Sequence, residues 1–505
     1  MQKIQKIYNP WLIAIVVSLA AFMEVLDTTI TNVSLSHIAG TLGASQDEST
    51  WIITSYLVAN GIILPLSGWL ADIFGRKRFF MLCIALFTLA SFACGLATSL
   101  PMLIFFRILQ GLAGGGLQPI QQAIVLDAFP PEKRGAAFGV TGITMVVAPI
   151  LGPTLGGYIT DNYSWQWIFL MNIPVGIFAL IMVAKMVVDP EHAKAKIGRS
   201  IDFIGLGLVA IGLGSLQIML DKGQQEDWFA SNFIIFFACV SFTCLACAIF
   251  WLLKQKDPII DLRIFGDRAF AMSWFMMFCI GASLYGGSTL LPILVQSEFG
   301  YDATLAGLVL SPGGIAVIFL MPIAGKLVGK VAARYLAALG MGLTAIGMWV
   351  TANMTPQTDF GTFVMMRNLQ VLGLPFLFIP ISTLAFLHIP KEKSSMASAI
   401  FAMSRNLGGS VGIAVMASYI VRQGQVHQAY LSEHINAGSI AYKQTIGEQS
   451  LHHIYSQMLH QANIMAFSDA FMVNAFMMAA LVIFALLMPY NQPHAKKPGD
   501  APTVH

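Results

Sequence analysis

Charge is scarce in this sequence. Only 10% of its 505 residues are Asp, Glu, Lys or Arg, against about 25% in an ordinary soluble chain. With 56% of residues hydrophobic, a water-soluble globule of this length could not hide its apolar surface. Cysteine is sparse too. Cys83, Cys94, Cys239, Cys244, Cys247 and Cys279 all fall inside apolar stretches, so no watery loop offers a disulfide and no metal-ligand spacing occurs. Their expected role is packing. A phosphate-cradling loop is missing: the triplet Gly114-Gly115-Gly116 has no lysine after it and no soluble domain around it, which excludes a nucleotide-binding motor. Short segments of alternating polarity are missing as well, which excludes a membrane β-barrel. The formal charge of +3 carries no basic face for a nucleic acid.

What the sequence has instead is long apolar blocks. Each is near the 20 residues or so that cross a hydrocarbon core about 30 Å thick. A backbone without water must satisfy its own hydrogen bonds, so each block reads as a helix. The expected fold is all-α and membrane-embedded, with about 14 spans at 12–36, 50–70, 79–98, 101–126, 137–160, 166–188, 202–220, 232–253, 270–297, 304–328, 334–352, 360–388, 396–421 and 467–489. The first block has no small-residue cleavage site and is expected to stay as a span. Connections on one side carry 22 of the 28 lysines and arginines, among them Arg76, Lys77, Arg78, Lys133 and Arg134. The other side carries Lys222, Arg422 and Lys443, and three arginines lie within spans. This bias predicts an even number of spans with both termini in the cytoplasm.

Two segments repeat. Pro65-Leu-Ser-Gly68-Trp-Leu70 returns as Pro322-Ile-Ala-Gly325-Lys-Leu327, and Arg107-Ile-Leu-Gln110 returns as Arg367-Asn-Leu-Gln370. The matched offsets imply two parallel six-helix halves, with spans 7 and 8 inserted between them. The chain then divides into 1–190, an inserted pair at 191–260, and 261–505. Halves related in this way with a path between them are a transporter arrangement.

Several segments match a known pattern. Gly68-Trp-Leu-Ala-Asp72-Ile-Phe-Gly75-Arg76-Lys77-Arg78 resembles the loop 2–3 signature of major facilitator transporters. Arg107-Ile-Leu-Gln110-Gly111 resembles their span 4 signature. Ala148-Pro149-Ile-Leu-Gly152-Pro153-Thr-Leu-Gly156-Gly157 is similar to the span 5 signature of the antiporters, and Leu26-Asp27-Thr28-Thr29-Ile-Thr-Asn32-Val33 to the span 1 signature of the fourteen-span drug:proton branch. Within that branch the likeness is to EmrB-type pumps of Gram-negative inner membranes. It runs along nearly the whole chain, including Ser164-Trp-Gln-Trp-Ile-Phe169 and Ser215-Leu-Gln-Ile-Met-Leu-Asp221. The resemblance implies a cofactor-free, proton-coupled exporter of hydrophobic drugs, and so antibiotic resistance. It also implies a periplasmic membrane-fusion adaptor of the EmrA type and an outer-membrane channel of the TolC type.

Proton coupling needs an ionisable group at membrane depth. Of the 25 acidic residues, only Glu24 and Asp27 lie well inside a span. Their spacing of three puts them on one helix face about a turn apart, where two carboxyls titrate as a coupled pair. The resemblance points to Asp27 as the coupling acid. Glu24 departs from the pattern, which has a neutral polar residue there. The competing role for Asp27 is a structural hydrogen bond between helices. Arg107 is the expected partner of these acids, as a switchable or a fixed ion pair. Arg405, within Arg405-Asn-Leu-Gly-Gly409-Ser-Val-Gly412, resembles a span 13 signature and is the expected polar centre of the second half. Arg367 reads as a second candidate or as a snorkelling or interhelical residue.

The remaining motifs read as mechanical. Gly152, Pro153, Gly156 and Gly157 allow a bend and a tight face against a helix of the other half, as a seal or as ordinary packing. Gly68, Asp72, Gly75 and Arg76 form an expected latch, with Asp72 capping a helix start and Asp127 accepting Arg76; topogenic charge is the rival reading of the arginine. The one long loop, periplasmic and near 422–466, holds His427, His434, His452, His453 and His460. It reads as solvated, or as the adaptor contact. The abundant Met (27) and Phe (35) suit an adaptable apolar pocket. Two rival functions remain open: the same fold exporting a metabolite, siderophore or lipid-like compound, and a membrane enzyme or receptor, which would need a reactive cluster that the sequence does not show.

Overall fold

The computed structural model describes residues 8–194, 202–434 and 451–490. The remaining residues, with Lys3, Lys6, Lys196, Arg199, Lys443, Lys496 and Lys497, lie outside that range. The described residues contain helices and no strand. Thirteen helices are long and apolar enough to cross a membrane, and a bent pair completes the expected fourteen.

In the first half these are span 1 (Pro10–Val33), span 2 (Trp51–Phe74), span 3 (Arg76–Gly95), span 4 (Leu100–Ala128), span 5 (Pro131–Asn162) and span 6 (Trp167–Met186). Span 7 (Phe203–Lys222) and span 8 (Asn232–Lys254) follow. The second half holds span 9 (Arg268–Ser297), span 10 (Ala303–Leu327), span 11 (Ala333–Ala352), span 12 (Phe360–Ala385), span 13 (Ser394–His434) and span 14 (Leu451–Leu486). Local chemistry sets the boundaries. Span 1 starts at Pro10, where the Asn9 side chain accepts from the Trp11 N–H, a proline at the first helical position behind a side-chain cap. Span 5 bends by 43° between Pro149 and Leu151, since Pro149 and Pro153 each remove a backbone donor from the helix.

The helix pairs repeat across the halves. Span 1 packs on 5, 2 on 4 and 3 on 6; in the second half 9 packs on 13, 10 on 12 and 11 on 14. The halves meet where 5 lies on 10 and 2 lies on 13, a pair of contacts that exchange when the halves are exchanged. The glycines of the sequence repeat sit at these crossings. A Cβ on Gly68 would stand 2.6 Å from the Met396 Cα, and one on Gly325 would stand 2.9 Å from the Ala136 Cα. Backbones therefore touch at both sites, near the Arg76 end of the molecule.

Three features depart from the sequence reading. The described parts of segment 422–466 are not a loop: residues 422–434 and 451–466 continue spans 13 and 14, and residues 435–450 lie outside the described range. Span 13 has 41 residues, roughly 60 Å at 1.5 Å per residue, about twice the hydrocarbon thickness. Its described end runs beside span 14, where His427 and Asp469 meet at 2.7 Å. The span 5 glycines face a different neighbour from the one expected. Gly152 and Gly156 lie against Thr29 and Ile30 of span 1, in the same half. The other half is met by the opposite face of span 5, where the Thr154 hydroxyl donates to the Gly307 carbonyl at 2.8 Å. Residues 152 and 156 share a helix face and 154 does not, so one helix seals two seams. Lastly, Cys239 and Cys247 are exposed on span 8, on a lipid-facing surface and not in the packing of the bundle.

The contact at Gly68 can be tested directly. Ser395 beside it is buried, so a Ser395→Cys probe should be shielded from a water-soluble maleimide. Adding Gly68→Leu should raise its labelling rate at least several-fold by preventing backbone contact. Unchanged shielding would show that another contact holds that end shut.

Candidate functional site

Asp27 and Glu24 occupy two different environments. Asp27 is 2% exposed and is enclosed by the first half alone. Arg107 of span 4 donates from Nη1 to Asp27 Oδ2 at 2.6 Å. Gln110 Nε2 and Asn172 Nδ2 donate to Oδ1 at 2.9 and 2.8 Å. Asn172 also donates to Ser91 Oγ at 3.0 Å, so spans 1, 3, 4 and 6 converge on one carboxylate. Arg107 donates further to the Ile52 carbonyl at 3.2 Å and to Gln110 Oε1 at 2.8 Å, and its guanidinium lies 4.1 Å from the Tyr56 ring centre. The expected Asp27–Arg107 pair is present and built into a closed cage.

Glu24 turns the other way. It accepts from Tyr56 Oη at 3.1 Å, from Asn60 Nδ2 at 3.0 Å and from Gln118 Nε2. Its nearest cationic partner is not Arg107, because one helical turn carries Glu24 out of the cage and toward the second half. Gln118 accepts in turn from Arg405 Nη2 of span 13, and Arg405 hydrogen-bonds Tyr285 of span 9. A hydrogen-bonded line therefore runs from Glu24 through Gln118 to Arg405, crossing between the halves at mid-membrane. Arg405 stands at the candidate position of the second half. Arg367 does not reach this line. It is 1% exposed, which removes the snorkelling reading, and donates to Gln370 at 3.1 Å, while Gln370 donates to Thr351 Oγ1 at 2.7 Å. The Arg-x-x-Gln repeat thus builds the same bond twice, with an acid behind it in the first half and a threonine in the second.

Glu24 lines a cavity of about 330 Å³ that reaches from mid-bundle to the helix ends at Thr50 and Gln225. Spans 1, 2, 4, 9 and 13 form its wall, and so does span 7. Asp27 does not line it. Span 7 of the inserted pair bridges spans 2 and 13: Asp221 accepts from Thr54, Lys222 donates to Thr50, and Gln217 donates to Ser410 at 2.9 Å. Glycines allow the close packing behind the cavity. A Cβ at Gly114 would lie 2.8 Å from Tyr56 Oη, and one at Gly115 would lie 2.7 Å from the Asn60 carbonyl, so the triplet noted in the sequence lets span 4 pass against span 2.

The opposite end is closed. Arg76, 3% exposed, pairs with Asp127 and donates to Ser395 Oγ at 2.9 Å and Ser394 Oγ at 3.0 Å. The guanidinium thereby ties spans 3 and 4 to the start of span 13. Asp127 also meets His192 at 3.0 Å. Asp72 is not the helix cap; span 3 begins after Gly75, whose φ of 84° favours glycine, with no side-chain cap bond. Nearby Asp189 accepts from the Lys77 backbone N–H, and burial holds its carboxyl above the usual carboxylate range. No group of three or more metal-ligating side chains occurs among the described residues.

Gln118, Tyr56, Asn60, Asn172 and Tyr285 were absent from the sequence reading, and Gln110 and Asp221 entered it only inside motifs, without a role of their own. Amides and tyrosines in spans carry no motif of their own, and Asp221 stands next to Lys222 at a helix end, where it read as a loop residue.

Two helical halves around a membrane-depth cavity, open along one end and tied shut at the other, define a transporter rather than an enzyme. The chain belongs to the Major Facilitator Superfamily, whose description matches residues 17–413. It is 37% identical over 474 residues to the multidrug export protein EmrB of Escherichia coli K12, covering 92% of each chain. It is 36% identical over 475 residues to the fatty acid resistance protein FarB of Neisseria gonorrhoeae, covering 93% of each. Among solved structures, a double-tryptophan variant of XylE shares the fold with a TM-score of 0.63 at 14% identity, over 95% of this chain and 96% of that one.

The cage makes an energetic prediction. Arg107→Gln leaves a buried carboxylate unpaired and should destabilise the protein in detergent by about 3–5 kcal/mol, whereas adding Asp27→Asn should restore much of that loss. A thermal-unfolding double-mutant cycle with additive effects would show that the two residues do not depend on each other.

Proposed function

We propose that this protein is a proton-driven antiporter that exports hydrophobic, toxic small molecules across the bacterial inner membrane. The observation that carries this reading is the Asp27 cage: a carboxylate in a nest of four spans, one turn from a cavity acid. In this reading both termini are cytoplasmic, the Arg76–Asp127 latch closes the cytoplasmic end, and the cavity opens toward the periplasm, where cargo leaves. A periplasmic adaptor would meet the extensions of spans 13 and 14 and connect to an outer-membrane duct.

Mechanistically, a proton reaching Asp27 discharges its pair with Arg107. Breaking a buried pair costs about 3–5 kcal/mol, comparable with the roughly 5.5 kcal/mol that moves a two-state equilibrium from 1:99 to 99:1. One protonation at this cage is therefore large enough to reset the packing of spans 1, 4 and 6. The glycine contacts of span 5 with span 1 then carry the change to span 10. Release of the proton to the cytoplasm restores the pair and the first state. The name of the relative EmrB supports drugs as cargo. FarB's name favours a second reading, in which the natural cargo is lipid-like, and a cavity wall that mixes aliphatic with polar side chains suits both.

Reconstituted in vesicles with an imposed pH gradient, the wild-type protein should acidify or alkalinise the lumen only when drug is added. Asp27→Asn should insert normally and lose at least about 90% of this drug-linked proton flux. Full flux in Asp27→Asn would remove the residue from the mechanism, and would move the coupling to another acid.

A further inference from the structure

One wall of the cavity is only two helices thick. Leu213, Gln217 and Asp221 of span 7 recur every four residues, share one helix face and line the cavity. Other faces of span 7 carry Ile211, which is 53% exposed, and Gly212, where a Cβ would lie 2.8 Å from the Leu245 side chain of span 8. Span 8 in turn packs chiefly on span 7 and exposes Phe236, Phe242 and Phe250, so the bilayer begins beyond these two helices. The seam on the far side of the molecule is built differently. There spans 5 and 10 touch directly: a Cβ on Gly307 would stand 2.7 Å from the Thr154 Cα, and one on Gly325 2.9 Å from the Ala136 Cα. A side opening between the halves therefore has its place where span 7 stands, between spans 2 and 13.

Span 7 is held unequally by its two neighbours. To span 2 it is bound through charge: Asp221 accepts from Thr54, and the Lys222 ammonium donates to Thr50 and lies 4.9 Å from the Trp51 ring centre. Gly214 adds close apolar contact, since a Cβ there would stand 3.2 Å from the Ile62 side chain. To span 13 the bonds are neutral. Gln217 donates to Ser410 Oγ at 2.9 Å, and Trp228 of the following turn donates to Ser418 Oγ at 2.8 Å. Charge-assisted hydrogen bonds are roughly twice as strong as neutral ones, so the contact with span 13 yields first. The turn that carries Trp228 is also strained: Asp227 and Trp228 have φ of 52° and 51°, a region that bulky residues rarely adopt. Parting from Ser418 frees that turn to relax.

We propose that span 7 is a door that travels with the first half, parts from span 13, and lets cargo with an apolar tail pass between cavity and lipid. The free edge of the door is the line from Gln217 and Ser410 to Trp228 and Ser418. A tailed molecule lying across it keeps its tail in the bilayer and sets a polar head among Gln217, Asn406 and Ser410. Neither end then enters a medium that rejects it.

This inference rests on the export reading and narrows its cargo, and its test needs no gradient. The probe is a monoacylglycerol with a photoreactive diazirine beside its uncharged head, added to the full-length protein in lipid nanodiscs. Labelled peptides are identified by mass spectrometry. Cys239, Cys244 and Cys247, the cysteines that are not buried, are first replaced by alanine. In that background Trp228→Cys and Ser418→Cys are joined by a short bis-thiosulfonate, which ties span 7 to span 13. The link should lower labelling of the cavity wall at least about fivefold, whereas capping the same two cysteines with a monofunctional thiosulfonate should not. Val58 lies 3.6 Å from a Cβ at Gly214, so Val58→Cys joined to Gly214→Cys ties span 7 to span 2; labelling should stay within about twofold. Ser410→Ala, which needs no cysteine chemistry, should raise labelling about twofold or more by loosening the free edge. Unchanged labelling after the link to span 13, equal loss after capping, loss after the link to span 2, or no rise in Ser410→Ala would overturn the proposal. Drug-linked proton flux, measured on the same proteins before linking, reports on export separately. A protein that keeps this flux and shows any of those four outcomes loses the door alone; one without the flux loses the export reading itself.

Discussion

A carboxylate and a guanidinium held together out of reach of water set the terms for much of this structure. Asp27 and Arg107 lie among helices that offer no bulk solvent, so their hydrogen-bonding positions are met by groups delivered from other spans, with Arg107 Nη2 left without a partner among the described residues. Gln110, Asn172 and the Ile52 carbonyl do this. The cage therefore fixes the relative heights and rotations of spans 1, 2, 4 and 6 more tightly than apolar packing does, since apolar side chains tolerate sliding and a buried ion pair does not. In the proposed mechanism it is also where a single proton acts.

The second half copies the scaffold but not the chemistry. Arg367 and Gln370 stand as Arg107 and Gln110 do, yet the bond ends on Thr351. The second half offers Tyr285 to the cavity and Arg405 to Gln118 instead, and the two halves meet there. The glycine crossings at Gly68 and Gly325 are shared by both halves and the charges are not; in the proposed antiport the crossings would let the halves rock, and the one-sided charges would set which state a proton or a cargo favours. The inserted pair adds to this. Span 7 fills the seam between spans 2 and 13 and supplies Gln217 and Asp221 to the cavity, so the extra helices belong to the binding chamber, while span 8 faces outward.

Much of the architecture was legible in the sequence because the bilayer removes choices. A block of about twenty apolar residues has to be a helix, the lysine and arginine bias demands an even count, and the offset repeats pair the halves. The same logic marked Glu24 and Asp27, since an acid in such a block is costly enough to stand out. Arg76 and Asp127 were also paired correctly, as opposite charges at adjoining helix ends. The helical extensions at 422–434 and 451–466 were missed because their polar, histidine-containing residues resemble a solvated loop, and helices outside the membrane are stabilised by packing on each other, which composition does not reveal.

Only the tertiary structure decided which way each side chain points. Glu24 and Asp27 share a helix face on paper. Yet the 300° turn between positions three apart, set against the particular crossing of spans 1, 2 and 4, places one in a cavity and the other in a closed cage. Gln118, Tyr56, Asn60 and Asn172 become visible only there, because an amide or a phenol in an apolar block has no spacing rule that distinguishes a packing residue from a ligand. The glycines of span 5 turned out to face span 1 for the same reason: sequence shows that two backbones must touch, and only the fold says which two. Acids at membrane depth were a property of the chain alone; that they serve different sides of the same helix is a property of its packing.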